Sequence, residues 1–265
     1  MVDISEWSGL ASGRPDRPMC LEVQLVFPGR GDGGSAAVPV HATDGRRWWL
    51  KPLNNPQGPR VPSTEYLVGR IGSLIGAPTC EVSIVRIDKM HEQASEGPGS
   101  PLQEGYAYGS LDVAGAREHK SSLEYRAKDD NRRRHVGIFA LWDLCFGADP
   151  QWLHQAIDDE RTWSHDHGHY FPSGPNWTEQ TLIDNVLAPH ELASEKSDLD
   201  PLKIEEVAAL VEGLNATTIS TILKSVPAPW PISDSELETL GWFILERSGP
   251  VGQRLRSLAR VEGQT

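Results

Sequence analysis

The two halves of this chain carry different hydrophobic periodicities, and that change limits the possible folds more than any other feature. Residues 21–27 alternate apolar and polar side chains, as a half-buried strand does. Residues 37–41 predict a second strand, and Asp44-Gly45 after it is a strong signal for a two-residue hairpin turn. Residues 47–51 predict a third strand. The chain therefore opens with an antiparallel meander.

A helix and two more strands are predicted after this meander. Ser63 is a suitable N-cap, and the apolar residues after it recur at helical spacing until Gly76-Ala77-Pro78 ends the helix. Residues 80–87 form the next predicted strand, which is rich in β-branched side chains, and residues 106–111 predict a further one.

The second half of the chain follows helical periodicity from Val136 onward. Further helices are predicted over residues 204–214, 217–223 and 235–246. The charge-dense residues 115–134 predict a solvated helix or a lid.

These patterns predict an α+β protein of two lobes. The expected divisions are an N-terminal extension over residues 1–19, a small β-rich lobe over residues 20–111 and a larger, mostly helical lobe over residues 112–265. The chain starts without a signal-peptide pattern and has no run of about 18 apolar residues, so we expect a cytoplasmic protein without a membrane partner. Its three well-separated cysteines predict free thiols.

The net charge argues against one class of partner. With 25 basic and 37 acidic residues the chain carries −12, so we expect no general binding to nucleic acid through a positive surface. A nucleotide site stays compatible with this charge, because a few local bases and a metal ion can hold phosphates.

The glycines between the first two predicted strands fit the pattern G-x-G-x-x-G at Gly29, Gly31 and Gly34. A dinucleotide-binding fold requires a helix directly after such glycines, and here a strand and a hairpin follow. Glycines between antiparallel strands suit a loop that closes over nucleotide phosphates, as in kinases, or a flexible surface loop.

Lys51 and Glu65 form a second candidate pair. A lysine at the end of the third strand and a glutamate early in the next helix are the two residues with which kinases hold the α- and β-phosphates. The alternative interpretation is a solvent-exposed lysine at a strand end.

The segment of residues 164–170 is the most unusual in composition. Asp166, followed two residues later by Gly168, is typical of the metal-binding aspartate of a kinase. The alternation of His165, His167 and His169 is also compatible with zinc ligands on one face of a strand, and therefore with a metallohydrolase. A hydrogen-bonded polar cluster without ligands is the third interpretation.

The order of these features resembles the HipA-like kinase family, a branch of the protein-kinase-like fold, over roughly residues 20–180. The resemblance depends on the following stretches: Gly33-Gly34-Ser35, the Asp44-Gly45 hairpin, Leu50-Lys51, Asn54-Asn55-Pro56-Gln57-Gly58, Glu65, Leu74-Ile75-Gly76-Ala77-Pro78, Gly105-Tyr106-Ala107-Tyr108-Gly109-Ser110, Trp142-Asp143, Asp149 and His165-Asp166-His167-Gly168.

The resemblance implies a role for each matching residue. Asp149 would be the catalytic aspartate that accepts the hydroxyl proton, and Asp166 would bind magnesium. The segment from Tyr106 to Ser110 would be the hinge against adenine. The implied ATP-binding residues are Gly33, Gly34, Ser35, Lys51, Glu65, Tyr106 and Tyr108.

One departure from the family pattern concerns the metal site. The family motif N-x-D-R-x-x-x-N places asparagine five residues after the catalytic aspartate, and here Pro150 replaces the arginine and His154 the asparagine. Imidazole is a poor ligand for magnesium and suits manganese better. Gln151 offers an amide oxygen, from a different position in the motif.

The resemblance implies a two-lobed protein-kinase-like fold and an ATP-dependent phosphotransferase. The expected reaction transfers the γ-phosphoryl group of ATP to a Ser or Thr hydroxyl of a protein or peptide, with Mg²⁺ or Mn²⁺. Two alternatives stay open: a nucleotide-binding pseudokinase or interaction module, and a His-rich metallohydrolase.

Overall fold

Five strands from the first half of the chain form a closed barrel. The computed structural model describes residues 3–29, 34, 36–92, 102–119 and 123–261. The barrel strands are β1 (Leu21–Val26), β2 (Val38–Ala42), β3 (Arg47–Lys51), β4 (Val82–Ile87) and β5 (Gly105–Leu111). Their order around the barrel is β1-β2-β3-β5-β4, and it closes because β1 pairs with β4 in parallel.

The predicted meander and hairpin are confirmed in this barrel. β2 and β3 pair antiparallel across a turn in which Gly45 has a φ of +75°, a conformation that glycine adopts without strain. Trp48 and Leu50 are fully buried in the barrel interior. Because side chains alternate along a strand, Lys51 points out of the barrel.

Helix α1 (Val61–Leu74) joins the barrel to the rest of the protein. It begins before the predicted N-cap Ser63, because Pro62 is compatible with the first helical turn and Arg60 occupies the cap position. Its apolar face, which includes Leu67 and Ile71, belongs to the core of the helical half and not to the barrel interior.

The second half contains a three-stranded sheet and five helices among the described residues. The elements are β6 (Ala116–His119), α2 (Asn131–Leu144), β7 (Trp152–Gln155), β8 (Arg161–Ser164), α3 (Glu179–Asn185), α4 (Pro201–Glu212), α5 (Ala216–Lys224) and α6 (Asp234–Val261). Short 3₁₀ helices lie at Ile4–Trp7, Lys89–His91, Ala156–Asp158 and Gly174–Asn176. We call β1–β5 with α1 the small lobe, and β6–β8 with α2–α6 the large lobe.

Two predictions for this half are wrong. Residues 115–134 do not form one solvated helix or lid, because residues 116–119 pair with β7 as strand β6. The last helix does not end at residue 246 but runs to Val261 through Pro250. It continues because Val251 and Leu255 after the proline are buried in the core, which offsets the lost backbone hydrogen bond.

The segment before the barrel packs against helix α6. Trp7 is 1% exposed, and a β-carbon at Gly241 would lie 2.3 Å from its ring, so only glycine allows this close contact. Arg14 donates at 2.7 Å to Asp234, the first residue of α6. The N-terminal extension is therefore a packed part of the large lobe.

Among the described residues, none of the helices has the length and apolar character needed to cross a lipid bilayer.

Candidate active site

Two buried charged side chains and a partly buried one meet between the barrel, α1 and the end of β8. Lys51 is the last residue of β3, Glu65 lies in the first half of α1, and Asp166 follows β8 by two residues. The Lys51 ammonium donates to Oε1 of Glu65 and, at 2.5 Å, to Oδ1 of Asp166. The structure thus brings together three residues that the sequence analysis assigned to one site.

Burial opposes each of these charges, and their mutual attraction counteracts it. Burial alone would lower the pKa of Lys51, but the carboxylates of Glu65 and Asp166 raise it. Burial acts to raise the pKa of Asp166, and the charge of Lys51 outweighs it and lowers that pKa well below its usual range. At Glu65 burial dominates, and the pKa is raised. Lys51 and Asp166 are therefore both charged at neutral pH.

Glu65 keeps its position because α1 is fastened to the large lobe. The guanidinium of Arg60 donates at 2.6 Å to the carbonyl of Trp177. The indole N–H of Trp177 in turn donates at 3.1 Å to Oγ1 of Thr64, next to Glu65 in the helix. A movement of α1 away from Lys51 would require these bonds to break.

The Asp166-His167-Gly168 turn presents its carboxylate toward Lys51. Asp166 adopts a φ of +55°, which is uncommon for a residue other than glycine. The backbone N–H of His167 donates at 3.0 Å to Oε2 of Glu65 and fixes the turn to α1. A β-carbon at Gly168 would lie 2.8 Å from Cγ1 of Val61, so a larger residue would displace the turn.

Asp149 lies in the loop between α2 and β7, and this loop has a strained backbone. Phe146 and Asp149 have φ values of +53° and +55°. A β-carbon at Gly147 would lie 2.5 Å from the ring of Trp142. The imidazole of His190 is 2.6 Å from the carbonyl of Gly147 through Nε2. Contacts from outside the loop therefore hold Asp149 in place.

Tyr170 links the Asp149 loop to the Lys51 cluster. Its buried ring lies 4.9 Å from the ring of His167, centroid to centroid. Burial raises the pKa of Tyr170, and the charges of Glu65 and Asp149 both add to that rise. Trp152, which directly follows the Asp149 loop and Gln151, pairs opposite Ser164, so the Asp149 loop and Asp166 lie at the same end of the β7–β8 hairpin.

Gln151 is the residue that contacts Asp149 most directly. Its amide nitrogen donates at 2.7 Å to Oδ2 of Asp149. The residue is 6% exposed, and its Oε1 is buried without a hydrogen-bond partner. A buried oxygen of this kind is an available ligand beside the candidate catalytic residue.

His154, which the motif spacing assigns to the metal site, lies in β7 within a different cluster. Its ring centroid is 4.8 Å from that of Tyr125 and 5.2 Å from that of His119, and its Nδ1 is 3.3 Å from Oγ1 of Thr162. The structure does not bring His154 and Asp166 together, because Thr162, its partner across the hairpin, precedes Asp166 by four residues. The metal-binding role of His154 stays a prediction.

The neighbouring His135 gives the protein a measurable pH dependence. It is fully buried, accepts a 2.8 Å hydrogen bond at Nδ1 from Arg126, and lies 3.2 Å from Thr162 through Nε2. Burial, assisted by the charge of Arg126, lowers its pKa to about 3. In the unfolded chain it would protonate near pH 6.5. Between these two pH values only the unfolded chain binds the proton, so the stability that this histidine contributes is lost as pH falls.

We therefore expect His135→Gln, which can keep both hydrogen bonds, to remove one group that titrates between about pH 3 and pH 6.5. The free energy of unfolding of the wild type should decrease more steeply below pH 6 than that of the variant, by about 1.4 kcal/mol per pH unit. Urea unfolding between pH 4 and pH 8 measures this difference, and the values at pH 8 serve as the reference. Parallel curves for the two proteins would contradict the prediction.

The metallohydrolase interpretation required three histidines on one strand face, and the structure does not provide that strand. β8 ends at Ser164, and the left-handed φ of Asp166 breaks the alternation between His165, His167 and His169. In the described parts of the chain no group of three His, Cys, Asp or Glu side chains could hold a metal ion. His167 is buried, which lowers its pKa to about 3.

Of the remaining residues predicted to bind ATP, the structure describes Gly34, Tyr106 and Tyr108. Gly33 and Ser35 fall outside the described residues. A β-carbon on Gly34 would lie 3.0 Å from Nε2 of Gln57, so the Gly34 backbone closely approaches that amide. Tyr108 pairs opposite Lys51 in the sheet and is buried. Tyr106 lies at the start of β5, where its carbonyl accepts a 3.1 Å hydrogen bond from the Trp230 indole. The predicted hinge segment, residues 106–110, therefore lies within strand β5, and its role against adenine stays a prediction.

Trp49 is a residue of this region that the sequence analysis did not single out. It lies two residues before Lys51 and on the same face of β3, and its indole N–H donates at 2.6 Å to Asp112. Asp112 directly follows β5, where the chain leaves the barrel. Side chains alternate between the two faces of a strand, so counting back two residues from Lys51 identifies Trp49 as its neighbour on the same face.

Two solved structures share this arrangement of elements. The Helicobacter pylori proinflammatory kinase CtkA superposes with a TM-score of 0.53 at 11% sequence identity, over 92% of this chain and 97% of that chain. The Golgi casein kinase with Mn/ADP bound gives a TM-score of 0.50 at 9% identity, over 98% of this chain and 77% of that chain. This chain has a protein-kinase-like fold. No protein-family model and no curated protein matches it by sequence.

The protein-kinase-like fold explains why the three charged residues converge. In this fold a lysine on the third strand pairs with a glutamate of the following helix, and a metal-binding aspartate comes after the hairpin of the larger lobe. Lys51 lies at the end of β3, Glu65 in α1 and Asp166 after β8, which is compatible with this arrangement, and the roles of the three residues stay predictions. The predicted two-lobed α+β fold is confirmed.

Proposed function

We propose that this protein is an ATP-dependent phosphotransferase that acts on a hydroxyl group, a Ser or Thr of a protein or peptide. The single observation that carries this proposal is the Lys51–Glu65–Asp166 cluster in a protein-kinase-like fold, at the end of the β7–β8 hairpin from which the Asp149 loop also extends. Because many functions share one fold, the proposed function rests on these residues and not on the fold alone. The HipA-like branch of that fold is the finer part of the proposal.

ATP would bind between the small lobe of residues 20–111 and the large lobe of residues 112–265. Lys51 would exchange its bond to Asp166 for bonds to the α- and β-phosphates, while Glu65 keeps the ammonium in place. Gly34 would cover the phosphates, since a residue without a side chain lets the backbone approach closely.

Asp149 would accept the proton that the acceptor hydroxyl loses as its oxygen bonds to the γ-phosphorus. The bond between that phosphorus and the oxygen bridging to the β-phosphate breaks at the same centre, and ADP leaves with the bridging oxygen. The contacts that hold the Asp149 loop would keep the carboxylate at one place during this step.

Asp166 and the amide of Gln151 fit a divalent cation. Both offer oxygen atoms, which Mg²⁺ and Mn²⁺ prefer, and Oε1 of Gln151 is buried without a partner. When bound, the cation neutralises negative charge on the phosphates.

A second function is favoured by one departure from the kinase pattern. The motif asparagine is replaced by His154, and that residue lies in the Tyr125 and His119 cluster. A protein that binds nucleotide but transfers no phosphate does not need the catalytic-loop asparagine, so it would carry this substitution without loss of its function. Nucleotide binding is common to both functions, and only an assay of transfer separates them.

We expect ATP with Mg²⁺ or Mn²⁺ to raise the melting temperature, because a ligand that binds only the native state stabilises it. At a hundred times the dissociation constant the gain is about 2.7 kcal/mol, or on the order of 5–10 °C. Asp166→Asn should remove the metal-dependent part of this shift. Differential scanning fluorimetry with and without EDTA measures it.

His169→Ala, in the same segment as Asp166, is the matched control and should keep the shift. If no nucleotide changes the melting temperature of the wild type at millimolar concentration, the proposed function is wrong.

A further inference from the structure

The side chain of Gln151 is buried with only one of its two polar atoms satisfied. A carboxylate accepts hydrogen bonds and does not donate them, so the amide nitrogen must face Oδ2 of Asp149, which lies 2.7 Å away. This fixes the direction of the amide oxygen, which then points away from Asp149. Oε1 is buried and has no partner, an arrangement that is unfavourable unless something else binds there.

Gln151 lies at the same end of the β7–β8 hairpin as Asp166. Trp152 at the start of β7 pairs opposite Ser164 at the end of β8. Gln151 precedes Trp152 by one residue, and Asp166 follows Ser164 by two, so both extend beyond this pair in one direction. The hairpin therefore brings Gln151, with its unpartnered amide oxygen, and Asp166 to the same end.

His154, which occupies the motif position of the asparagine, lies on the other side of the Trp152–Ser164 pair. It is opposite Thr162, further from Asp166, and its Nδ1 is bonded to the threonine hydroxyl. An amide oxygen is also the better ligand for a hard divalent cation than an imidazole nitrogen.

We propose that Gln151 performs two tasks: its Oε1 takes the place of the motif asparagine and binds a divalent cation together with Asp166, and its Nε2 holds the Asp149 carboxylate. The proposal rests on the proposed function, because it assumes a nucleotide and a cation in this cleft. One amide thereby connects the proton acceptor to the metal site. Gln151 is a metal ligand through one atom and a positioning residue for Asp149 through the other.

The experiment measures Mn²⁺ binding to the full chain in the presence of a non-hydrolysable ATP analogue, by electron paramagnetic resonance of the free ion. Gln151→Leu, which keeps the volume and removes both polar atoms, should weaken Mn²⁺ binding about 10-fold or more. Gln155→Leu makes the same substitution in the same hairpin at a half-buried residue whose amide donates to the Ala114 carbonyl, away from Asp149, and it should leave the affinity unchanged. Melting temperatures show that each variant is folded.

Gln151→Glu separates the two tasks and serves if the leucine variant does not fold. It keeps an oxygen ligand but lacks the N–H that Asp149 accepts, so Mn²⁺ affinity should persist while the rate of transfer falls. If Gln151 had a purely structural role, Gln151→Glu would change Mn²⁺ affinity and the rate of transfer together.

Each result decides between the proposals. If the wild type binds Mn²⁺ with the analogue and Gln151→Leu binds it equally well, the inference is wrong and the proposed function stands. If His154→Gln weakens binding while Gln151→Leu does not, the metal site includes His154. If the wild type binds neither Mn²⁺ nor the analogue, the proposed function fails, and the inference fails with it.

Discussion

Replacing Asp149 with alanine is expected to abolish phosphoryl transfer while leaving the affinity for ATP nearly unchanged. Asp149 would act on the acceptor hydroxyl and contact no phosphate, so its loss affects the transition state and not the bound nucleotide. The loss of a positioned proton acceptor typically lowers the rate by about 10²–10⁴-fold. The measurement is the incorporation of radiolabelled phosphate, first with the protein alone and then with a cell lysate that supplies an acceptor.

Asp184→Ala is the matched control for this experiment. Asp184 lies on the exposed side of α3, bonded only to Gln180 among the contacts described, and its loss should not change transfer. A wild type that binds ATP but labels nothing in either mixture, with Mg²⁺ or with Mn²⁺, would favour the nucleotide-binding protein without transfer.

Replacing Lys51 with methionine should cause the largest loss of stability. Lys51 is 7% exposed, Glu65 is fully buried, and the lysine is the main positive charge that both carboxylates face. Removal of one partner from a buried ion pair costs about 3–5 kcal/mol, because it leaves the other charge buried and unpaired. We therefore expect this loss in urea unfolding at pH 7, although a lysine at a strand end would suggest a harmless substitution.

The loss should also depend on pH, with a predictable sign. Burial raises the pKa of both carboxyls, and without Lys51 nothing comparable lowers them. A folded carboxyl with a raised pKa holds its proton more tightly than the unfolded chain does. The stability of Lys51→Met should therefore be greatest at acidic pH and decrease as pH rises.

Two further variants test this explanation. Adding Glu65→Gln and Asp166→Asn to Lys51→Met removes the unpaired charges and should recover most of the lost stability. Lys128→Met, which breaks an exposed pair with Asp159, should have little effect. A free energy of unfolding for Lys51→Met within about 1 kcal/mol of the wild type would contradict a tight buried cluster.

The residues of the Lys51 cluster could be predicted from the sequence because each follows a local signal. Lys51 ends a strand that the Asp44-Gly45 hairpin introduces, and Glu65 lies in the first turns of the next helix. Asp166 follows a strand and precedes a glycine. These signals depend on alternation and turn chemistry, which neighbouring residues determine.

The partner of Asp149 could not be predicted in this way. A count of five residues from Asp149 leads to His154, whereas β7 begins at Trp152 and includes His154, so that Gln151 in the loop is the residue bonded to the carboxylate. Spacing in a motif identifies a residue only when the loop has the usual length. The length of this loop is visible only once the β7–β8 register is known.

The chain by itself determines the order of strands and helices, the hairpin and the identity of the charged residues, since these depend on local periodicity and backbone preference. The tertiary structure decides which of them meet. The parallel pairing that closes the barrel, the packing of Trp7 on α6, the continuation of α6 beyond Pro250 and the burial of Lys51 all depend on contacts between residues distant in sequence. Their free energies come from apolar burial and desolvation across the whole fold, which no local pattern contains.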